Sequence, residues 1–590
     1  MIEAERCIGY KDVPRNAFGK KGEFMLTSPS KNCRITEGGE AYTRPGYVDG
    51  GIEVNQAGKL TRGWRMEQFD LTFFCVGTKI YYTEGELSPS STLYDTGVTI
   101  TNGQAQQTRF LEYAGCMISS NKTDGSYLFM VTKLNGAASS GATSLICDRD
   151  GVSTVSIFNT ALSLSSFNVR INGTNEAATG TNLGAATFTG MTLSQAYADN
   201  TIAMVVFDLT AKYPKCAKIV EWENMLHFID VSVDDAIFSS DINRATVPFT
   251  PPATATAMEN MLTITTTNTS VFGKPGRITN ALSVKDYLYL WTENAAGFCH
   301  TDNLNRTSFS HPISVFEGRN YGCINADSAI DIGNGLIPFI TPQNRIVAIK
   351  TVLNNGAVLQ YPDETFDDGI QTTIKFADDD QTNAFAYYHS GGKLAYFQMQ
   401  VSAVLLQFVY DNKAEVSDWL PPDDDKPFSG YFERKGKLFG TELTDDTVYQ
   451  MDVGNTDNGV PFGCVMAHGL YDSKQTAEWK SIELKGSITQ DTTVDVETIL
   501  DSSTSAAKTI ESSDYSFTGG RSFSDVAVGD LVVGGATSDT PIADYIEEYA
   551  IAPVTYGQLY QTVLSSYSGF TLKGFRINAR VLSHSLLTVR

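Results

Sequence analysis

Two stretches, "YYHSGGKLAYFQM" (Tyr387–Met399) and "RKGKLFGTELTDDTVYQMD" (Arg434–Asp452), decide the fold class. In each, short apolar and aromatic runs are broken by tight turns rich in Gly, Lys or Asp. That is the pattern of strand, turn, strand. The same form recurs in Leu71–Val76 with Lys79–Thr83, in Tyr127–Lys133, and in Lys218–Val220 with Met225–Val231. It returns in Tyr287–Thr292, in Leu336–Thr341 with Arg345–Lys350, and in Phe385–Tyr388 with Lys393–Met399. Each is predicted to be a hairpin or part of a meander. Helical periodicity over twelve or more residues is scarce, and Ile542–Ala550 is the best helical candidate.

The hairpins repeat. Tyr289, Phe339, Tyr388 and Phe439 each sit in an aromatic-rich run, separated by 50, 49 and 51 residues. A repeat of this length holding several short strands is the size of one propeller blade. A single blade cannot bury both of its faces, so blades stack radially around an axis. The predicted fold is all-β: a β-propeller of about 50-residue blades, with an inserted small β domain and a β-rich C-terminal region. A β-sandwich with accidental spacing is the competing reading.

Composition agrees with strands. The chain has 590 residues, 42% hydrophobic, 11% aromatic and 19% charged. That is enough apolar surface for a large core, which excludes disorder as the main state. The expected organisation is an N-terminal arm and first propeller strands over 1–97, and an inserted Gly/Ala/Ser/Thr-rich β domain over 98–212. The main blades follow over 213–460, and a β-rich region over 461–590 closes the propeller. The insertion is marked by "INGTNEAATGTNLGAATFTGMT" and by strand-like runs at Val152–Phe158 and Phe167–Ile171. The closing strand is predicted in "GFTLKGFRINARVL", because a returning strand removes open sheet edges.

The net charge is −23, which argues against a protein that grips nucleic acid by neutralising phosphate. Residues 1–65 carry 11 basic and 8 acidic side chains, whereas 351–460 carry 7 and 19. The opening "MIEAERCIGYKDVPRN" has no basic segment followed by an apolar core, and no apolar run reaches 18 residues. A soluble protein made in a cytoplasm is expected. Nine widely spaced cysteines without a Cys-x-x-Cys predict reduced, mostly buried thiols.

Catalytic and cofactor motifs are missing. No phosphate-binding glycine loop, Gly-x-Ser-x-Gly elbow or His-Glu-x-x-His occurs. No catalytic, cofactor-binding or metal-ligating residue is therefore assigned, and the chain is not expected to be an enzyme. Acidic clusters are the dense polar feature. They read first as solvated loop tips; calcium ligands or the paired carboxylates of a glycoside hydrolase are the alternatives. The repeated Ser-x-Asp-x-Gly-x-Thr-Trp box of sialidases is missing. Trp222, Trp291 and Trp419 read as core, with a carbohydrate groove as the alternative.

Several segments together resemble the tail nozzle and tail-stabilisation (tail tubular) proteins of short-tailed bacteriophages. They are "SPSKNCRITEGGEAYTRPGYVDGG", with its Arg44-Pro45-Gly46, "KIVEWENMLHFIDVSVDDAIFSSDINRATVPF" (Lys218–Phe249), "GLIPFITPQNRIVAI" (Gly335–Ile349) and the C-terminal "GFRINARVL". The resemblance spans residues 25–95 and 216–455 and does not extend to the insertion or the Ser/Thr-rich C-terminal region. It implies a virion structural protein synthesised in the bacterial host cytoplasm. Copies of the chain would form a ring, a hexamer in this family, around the DNA exit channel. The ring would contact tail adaptor or portal-side proteins and tail fibres, and meet the host cell surface at ejection. It would hold the DNA in the virion, then conduct it without sequence recognition. Under this reading the acidic loops Asp367, Asp368, Asp378, Asp379, Asp380, Asp423, Asp424 and Asp425 line the channel, where negative charge repels phosphate. The alternative is a tail-tip protein that binds a host receptor or glycan.

Overall fold

A computed structural model describes residues 2–12, 22–53, 63–87, 91–101, 107–148 except 114, 167–182, 186–210, 214–231 except 223–224, 236–239, 264–265, 277–300, 314–316, 321–412 except 355–356, 418–424, 428–443, 447–489 except 470, 493–500, 503–504, 508–511 and 542–581 except 568. Among the described residues, strands make up 63% and helix 1%. One short helix is Gln371–Ile374.

Among the described residues, seven sheets follow one another along the chain as propeller blades. Blade 1 is Trp64–Met66, Leu71–Val76, Lys79–Glu84 and Tyr94–Thr99. Blade 2 is Arg109–Tyr113, Cys116–Asn121, Gly125–Lys133 and Ile202–Asp208, widened by Phe167–Ile171 and Thr174–Ala178. Blade 3 is Cys216–Trp222, Met225–Val231, Ala236–Ser239 and Ile264–Thr265. Blade 4 is Ile278–Val284, Tyr287–Thr292, Ala296–His300 and Ser314–Val315. Blade 5 is Leu336–Ile340, Ile346–Asn354 and Ala357–Asp363. Blade 6 is Phe385–His389, Leu394–Val401, Val404–Asp411 and Asp418–Asp423. Blade 7 is Phe428–Arg434, Lys437–Glu442 and Thr447–Met451, completed by Tyr47–Glu53 from the N-terminal region.

Apolar faces pack blade on blade all the way round. Phe73 of blade 1 meets Phe129 of blade 2 at 5.4 Å between ring centroids. Ile118 and Leu128 of blade 2 share a core with Ile219 and Phe228 of blade 3, and Ile229 of blade 3 shares one with Leu290 of blade 4. Trp291 meets Phe339 across blades 4 and 5 at 5.5 Å. Ile340 and Ala348 of blade 5 join Phe385 and Phe397 of blade 6. Phe385 meets Tyr431 of blade 7 edge-on at 5.5 Å. The ring returns to its start where Phe432 of blade 7 packs on Phe74 of blade 1, also edge-on, at 5.7 Å. Each such aromatic pair adds about 0.5–1.5 kcal/mol beyond its area burial.

The 50-residue period is one aromatic anchor per blade: Tyr289, Phe339, Tyr388 and Phe439 fall in blades 4, 5, 6 and 7. Phe339 and Tyr388 lie in the first strand of their blades and Tyr289 and Phe439 in the second, so the period marks the blade and not the strand.

Three expectations differ from the structure. First, ring closure comes from Tyr47–Glu53, paired antiparallel to Thr447–Met451, and not from the C-terminal strand. Second, 98–212 is not inserted whole. It supplies the strands of blade 2, and 134–201 is an excursion from within that blade, carrying the two widening strands and a small sheet of Ser144–Ile146, Gly180–Asn182 and Thr187–Thr189. Val152–Phe158 lies outside the described residues. Third, the described strands between Cys464 and Val581 build a separate sheet together with Ile2–Lys11, Gly22–Thr27, Cys33–Ile35 and Ala41–Thr43, a platform of eleven strands among the described residues. Its long members are Tyr471–Thr489, Ile542–Ser566 and Phe570–Val581. The helical candidate Ile542–Ala550 is therefore strand, paired to Ser481–Thr489. A nine-residue helix is marginal alone, and the long neighbouring strand offers it a complete ladder.

One apolar core joins this platform to blades 5–7, with Phe24, Cys464, Ile482, Phe575 and Ile577 alongside Phe385, Phe397 and Trp419. His468 is buried against it, 3% exposed, stacked 4.4 Å from Phe575. Its Nδ1–H donates to the Gly469 carbonyl at 2.8 Å, and Nε2 accepts the Thr562 N–H at 3.0 Å. Protonation would destroy the second bond. Burial lowers this imidazole to about 4.

Arg44-Pro45-Gly46 is the passage from platform to closing strand. A Cβ on Gly46 would lie 1.9 Å from the Thr456 carbonyl oxygen, so only glycine lets these two backbones touch. Gly46→Ala is expected to lose at least about 2 kcal/mol in urea unfolding, while Gly38→Ala, whose Cβ meets nothing closer than 3.6 Å, should lose under about 1.

His468 sets an acid limit. Its folded pKa lies below the unfolded value, so its contribution is complete above about 6.5 and is lost as pH falls toward 4, about 3 kcal/mol in all. Asp418, which burial raises to about 6, acts in the opposite sense, favouring the fold more as pH falls through the same range. Wild type minus His468→Gln isolates the histidine: the stability gap between them should narrow from pH 7 to pH 4.5.

Candidate functional site

Two clusters of ion pairs link separate parts of the fold: one near the propeller axis, and one at the junction between platform and ring.

The axis holds a cavity of about 440 Å³, lined by residues of blades 2 to 7 and the loops leading into them. Its walls come from the starts of the first strands of several blades, from nearby turns and from the loops leading into blades 5 and 6, and polar side chains there bridge to the next blade. Arg109 of blade 2 donates Nε–H to Asp327 at 2.7 Å and Nη1–H to the Ala217 carbonyl of blade 3 at 2.9 Å. Burial alone would lower its guanidinium, but the Asp327 carboxylate outweighs this and raises it. Lys122 of blade 2 meets Asp230 of blade 3 at 2.8 Å, and Arg277, entering blade 4, approaches the same carboxylate at 3.3 Å. Lys218 of blade 3 donates to Asn280 of blade 4 at 2.9 Å. Asn280 donates to the Asn325 carbonyl at 3.1 Å, and Asn325 to the Ala384 carbonyl beside blade 6 at 2.9 Å. The belt thus links consecutive blades by charge-assisted or neutral hydrogen bonds.

The three cations on the wall, Arg109, Lys122 and Arg277, each face an aspartate. Asp379 and Asp380 stand exposed at the rim. The cavity falls within the size of small-molecule sites, about 300–1,000 Å³, but its lining is charged and already cross-linked by ion pairs. Among the described residues, no group of three or more His, Cys, Asp or Glu side chains is gathered as a metal-ligand set.

At the junction, Arg34 grips Asp423 with two bonds of 2.9 and 2.6 Å, both side chains almost fully buried. Burial would lower this guanidinium, and Asp423 holds it above its ordinary value. Arg44 grips Asp457 in the same way at 2.9 and 2.6 Å and lies 3.7 Å over the Phe462 ring. Lys31 meets Asp424 at 2.6 Å, and Asn32 donates to Asp424 and to the Gly463 carbonyl. These contacts bolt the outer strand of blade 6 and the loop after blade 7 to the platform.

The eight aspartates predicted to line a channel therefore divide. Asp423 is 1% exposed and Asp367 is 0% exposed, with Asp367 clamped by Arg345 at 2.6 Å and by the Ile346 N–H at 3.0 Å. Neither lines a channel. A buried carboxylate needs a cation, and each found one elsewhere in the chain. Asp424 is the half-buried partner of Lys31. Asp378 caps a turn by accepting the Ala403 N–H at 2.9 Å. Asp368 is exposed and accepts from Gln371 at 2.7 Å, and Asp380 accepts from Thr382. Among the seven described aspartates, only Asp379 and Asp380 reach the axial cavity. Asp425 lies outside the described residues. Trp222, Trp291 and Trp419 are core, 4%, 0% and 2% exposed, which removes them from any carbohydrate groove. Arg34, Arg109, Arg277 and Asp327 were not singled out in the sequence. Isolated charges at strand starts carry no local signature.

No family model matches the chain, and no curated protein does. Solved structures with similar strand arrangements include Sqt1 from Chaetomium thermophilum, 8% identical, TM-score 0.34, covering 69% of this chain and 98% of that one. The computationally designed Ika8 protein is 8% identical, TM-score 0.33, over 69% and 99%. Exo-β-1,3-galactanase from Phanerochaete chrysosporium is 7% identical, TM-score 0.20, over 61% and 94%. Likeness at these scores carries nothing about function, and the fold rests on the strand pairing itself.

Arg109→Met strips Asp327, 12% exposed, of its guanidinium. The expected loss is about 2–4 kcal/mol in urea unfolding. Lys79→Met, at a more exposed pair with Asp95, should cost under about 1 kcal/mol.

Proposed function

We propose that this chain is a structural subunit of a short-tailed bacteriophage tail, a nozzle or hub component. In this reading it assembles into a ring around the DNA exit channel, retains DNA in the virion and conducts it at ejection. The observation that carries the reading is architectural: a closed seven-bladed propeller bolted by buried ion pairs to a platform made from both terminal regions. Rigidity under load suits such a part. The segments that resemble nozzle proteins also fall at structural nodes. Arg44-Pro45-Gly46 is the handover to the closing strand, Gly335–Ile349 covers the inner hairpin of blade 5, and "GFRINARVL" lies in the platform strand that pairs with Ile2–Ala4.

The charge pattern supports the same reading. Asp368, Asp379 and Asp380, three of the loop aspartates assigned to the channel, are exposed to solvent and open to facing a lumen between copies. Negative charge on a lumen wall lets DNA pass without adhering. Adaptor or portal-side proteins would contact the ring on one face and tail fibres at its side.

Electron microscopy of the virion tests this. A hexameric ring of this chain on the tail axis, with DNA threading it, is the expected result. Peripheral monomers or trimers would replace it with a receptor-binding role. Cleavage of host polysaccharide that one acidic substitution abolishes would replace it with a hydrolase.

A further inference from the structure

Cys33 and Cys464 stand 431 positions apart in sequence, and the fold brings their sulfurs to 3.5 Å. Both are 0% exposed. Cys33 lies in Cys33–Ile35 and Cys464 begins Cys464–Ala467, two platform strands held side by side by the antiparallel bridge between Lys31 and Val465. The Cys33 thiol also reaches the carbonyls of Lys31 and Val465, at 3.1 and 3.0 Å. Every blade, and the strand that closes the ring, lies between these two cysteines in sequence.

We propose that Cys33 and Cys464 are a disulfide-forming couple that closes the propeller covalently when the protein meets an oxidant of the small-molecule disulfide class. One cysteine loses its proton and attacks a sulfur of the small disulfide. A mixed disulfide forms and one small thiolate leaves, taking up a proton. The second cysteine then gives up its proton and attacks the protein-bound sulfur, releasing the other small thiol. The protein loses two electrons and two protons, and the small disulfide gains both. The sulfurs must close from 3.5 Å to about 2.05 Å, within reach of side-chain rotation.

Burial governs the rate. It disfavours the Cys33 thiolate, and the neighbouring Cys464 sulfur adds to that effect. Reaction therefore proceeds through transient opening of the short Cys33–Ile35 strand. A reducing cytoplasm keeps the pair as thiols, and an oxidising medium captures it. The product ties platform to platform around the whole ring, so blade 7 cannot part from its closing strand without the two ends staying tethered.

The test uses the purified full chain, with oxidised glutathione in a urea concentration well below the unfolding midpoint. The expected product is lighter by about 2 Da. Peptide mapping after alkylation of the unfolded product should give one cross-linked peptide containing Cys33 and Cys464, with the other cysteines alkylated. After a protease nick within a blade loop, the fragments should stay joined in denaturant until reduced. The thermal midpoint should rise by about 3–5 °C, as for closure of a very long loop. Cys33→Ser and Cys464→Ser should each abolish the cross-link, and Cys75→Ser should not. Free thiols at both positions, a lasting mixed disulfide at either, or a cross-link to another cysteine in wild type overturns the proposal. These outcomes are independent of where the protein resides, so they do not decide the tail reading.

Discussion

The ladder between Tyr47–Glu53 and Thr447–Met451 holds the rest of this molecule in place. A propeller blade is a sheet with two apolar faces, and stacking satisfies both only if the ring has no end. Without the N-terminal strand, blade 7 would keep three strands and an open edge at Thr447–Met451, in the same blade whose Phe432 meets Phe74 to seal the circle. The closing strand is fixed on its other side as well. Arg44 stands three residues before it, locked to Asp457 and stacked on Phe462. Gly46 permits the backbone contact that sets its direction. Ring closure and platform attachment are thus one physical event, carried by about ten residues.

Blade architecture was legible in the sequence because burial enforces it. Each blade must present large apolar side chains to both neighbours, and strands of this length leave room for few, so aromatics recur at blade spacing. Which strand of a blade carries the anchor was not legible, since any inner strand can serve. The closing strand was hidden for a related reason. "YVDGGIE" has two glycines and two acids, and its stability comes from pairing that no local pattern announces. The platform strands are rich in Ser, Thr and Glu. Their long ladders supply backbone bonds that compensate for weak local alternation, which is also why Ile542–Ala550 mimicked a helix.

The acidic clusters show the same limit from another side. Their existence could be read directly, and their fates could not. Asp423 and Asp424 are adjacent, yet one is sealed under Arg34 and the other half-open beside Lys31. The deciding cations lie nearly four hundred residues upstream. A carboxylate's exposure is a property of the fold, and a net charge summed along a segment overstates what a channel could feel. The axial belt sharpens this. Among the described residues its lining cations are committed to joining blades, so the positive charge of that cavity is structural.

The split blade also imposes an order on birth. Tyr47–Glu53 leaves the ribosome about 400 residues before the strand it pairs with. At about 5–20 residues per second that is roughly 20–80 s of waiting. Throughout that interval blades 1 to 6 can stack as they emerge, each on the last, while an unpaired strand and the platform's first strands stay exposed. Glycines and acids in that strand make it a poor template for wrong partners. The weak pattern that concealed it in the sequence is then the property that keeps a nascent chain from aggregating before the circle can be joined.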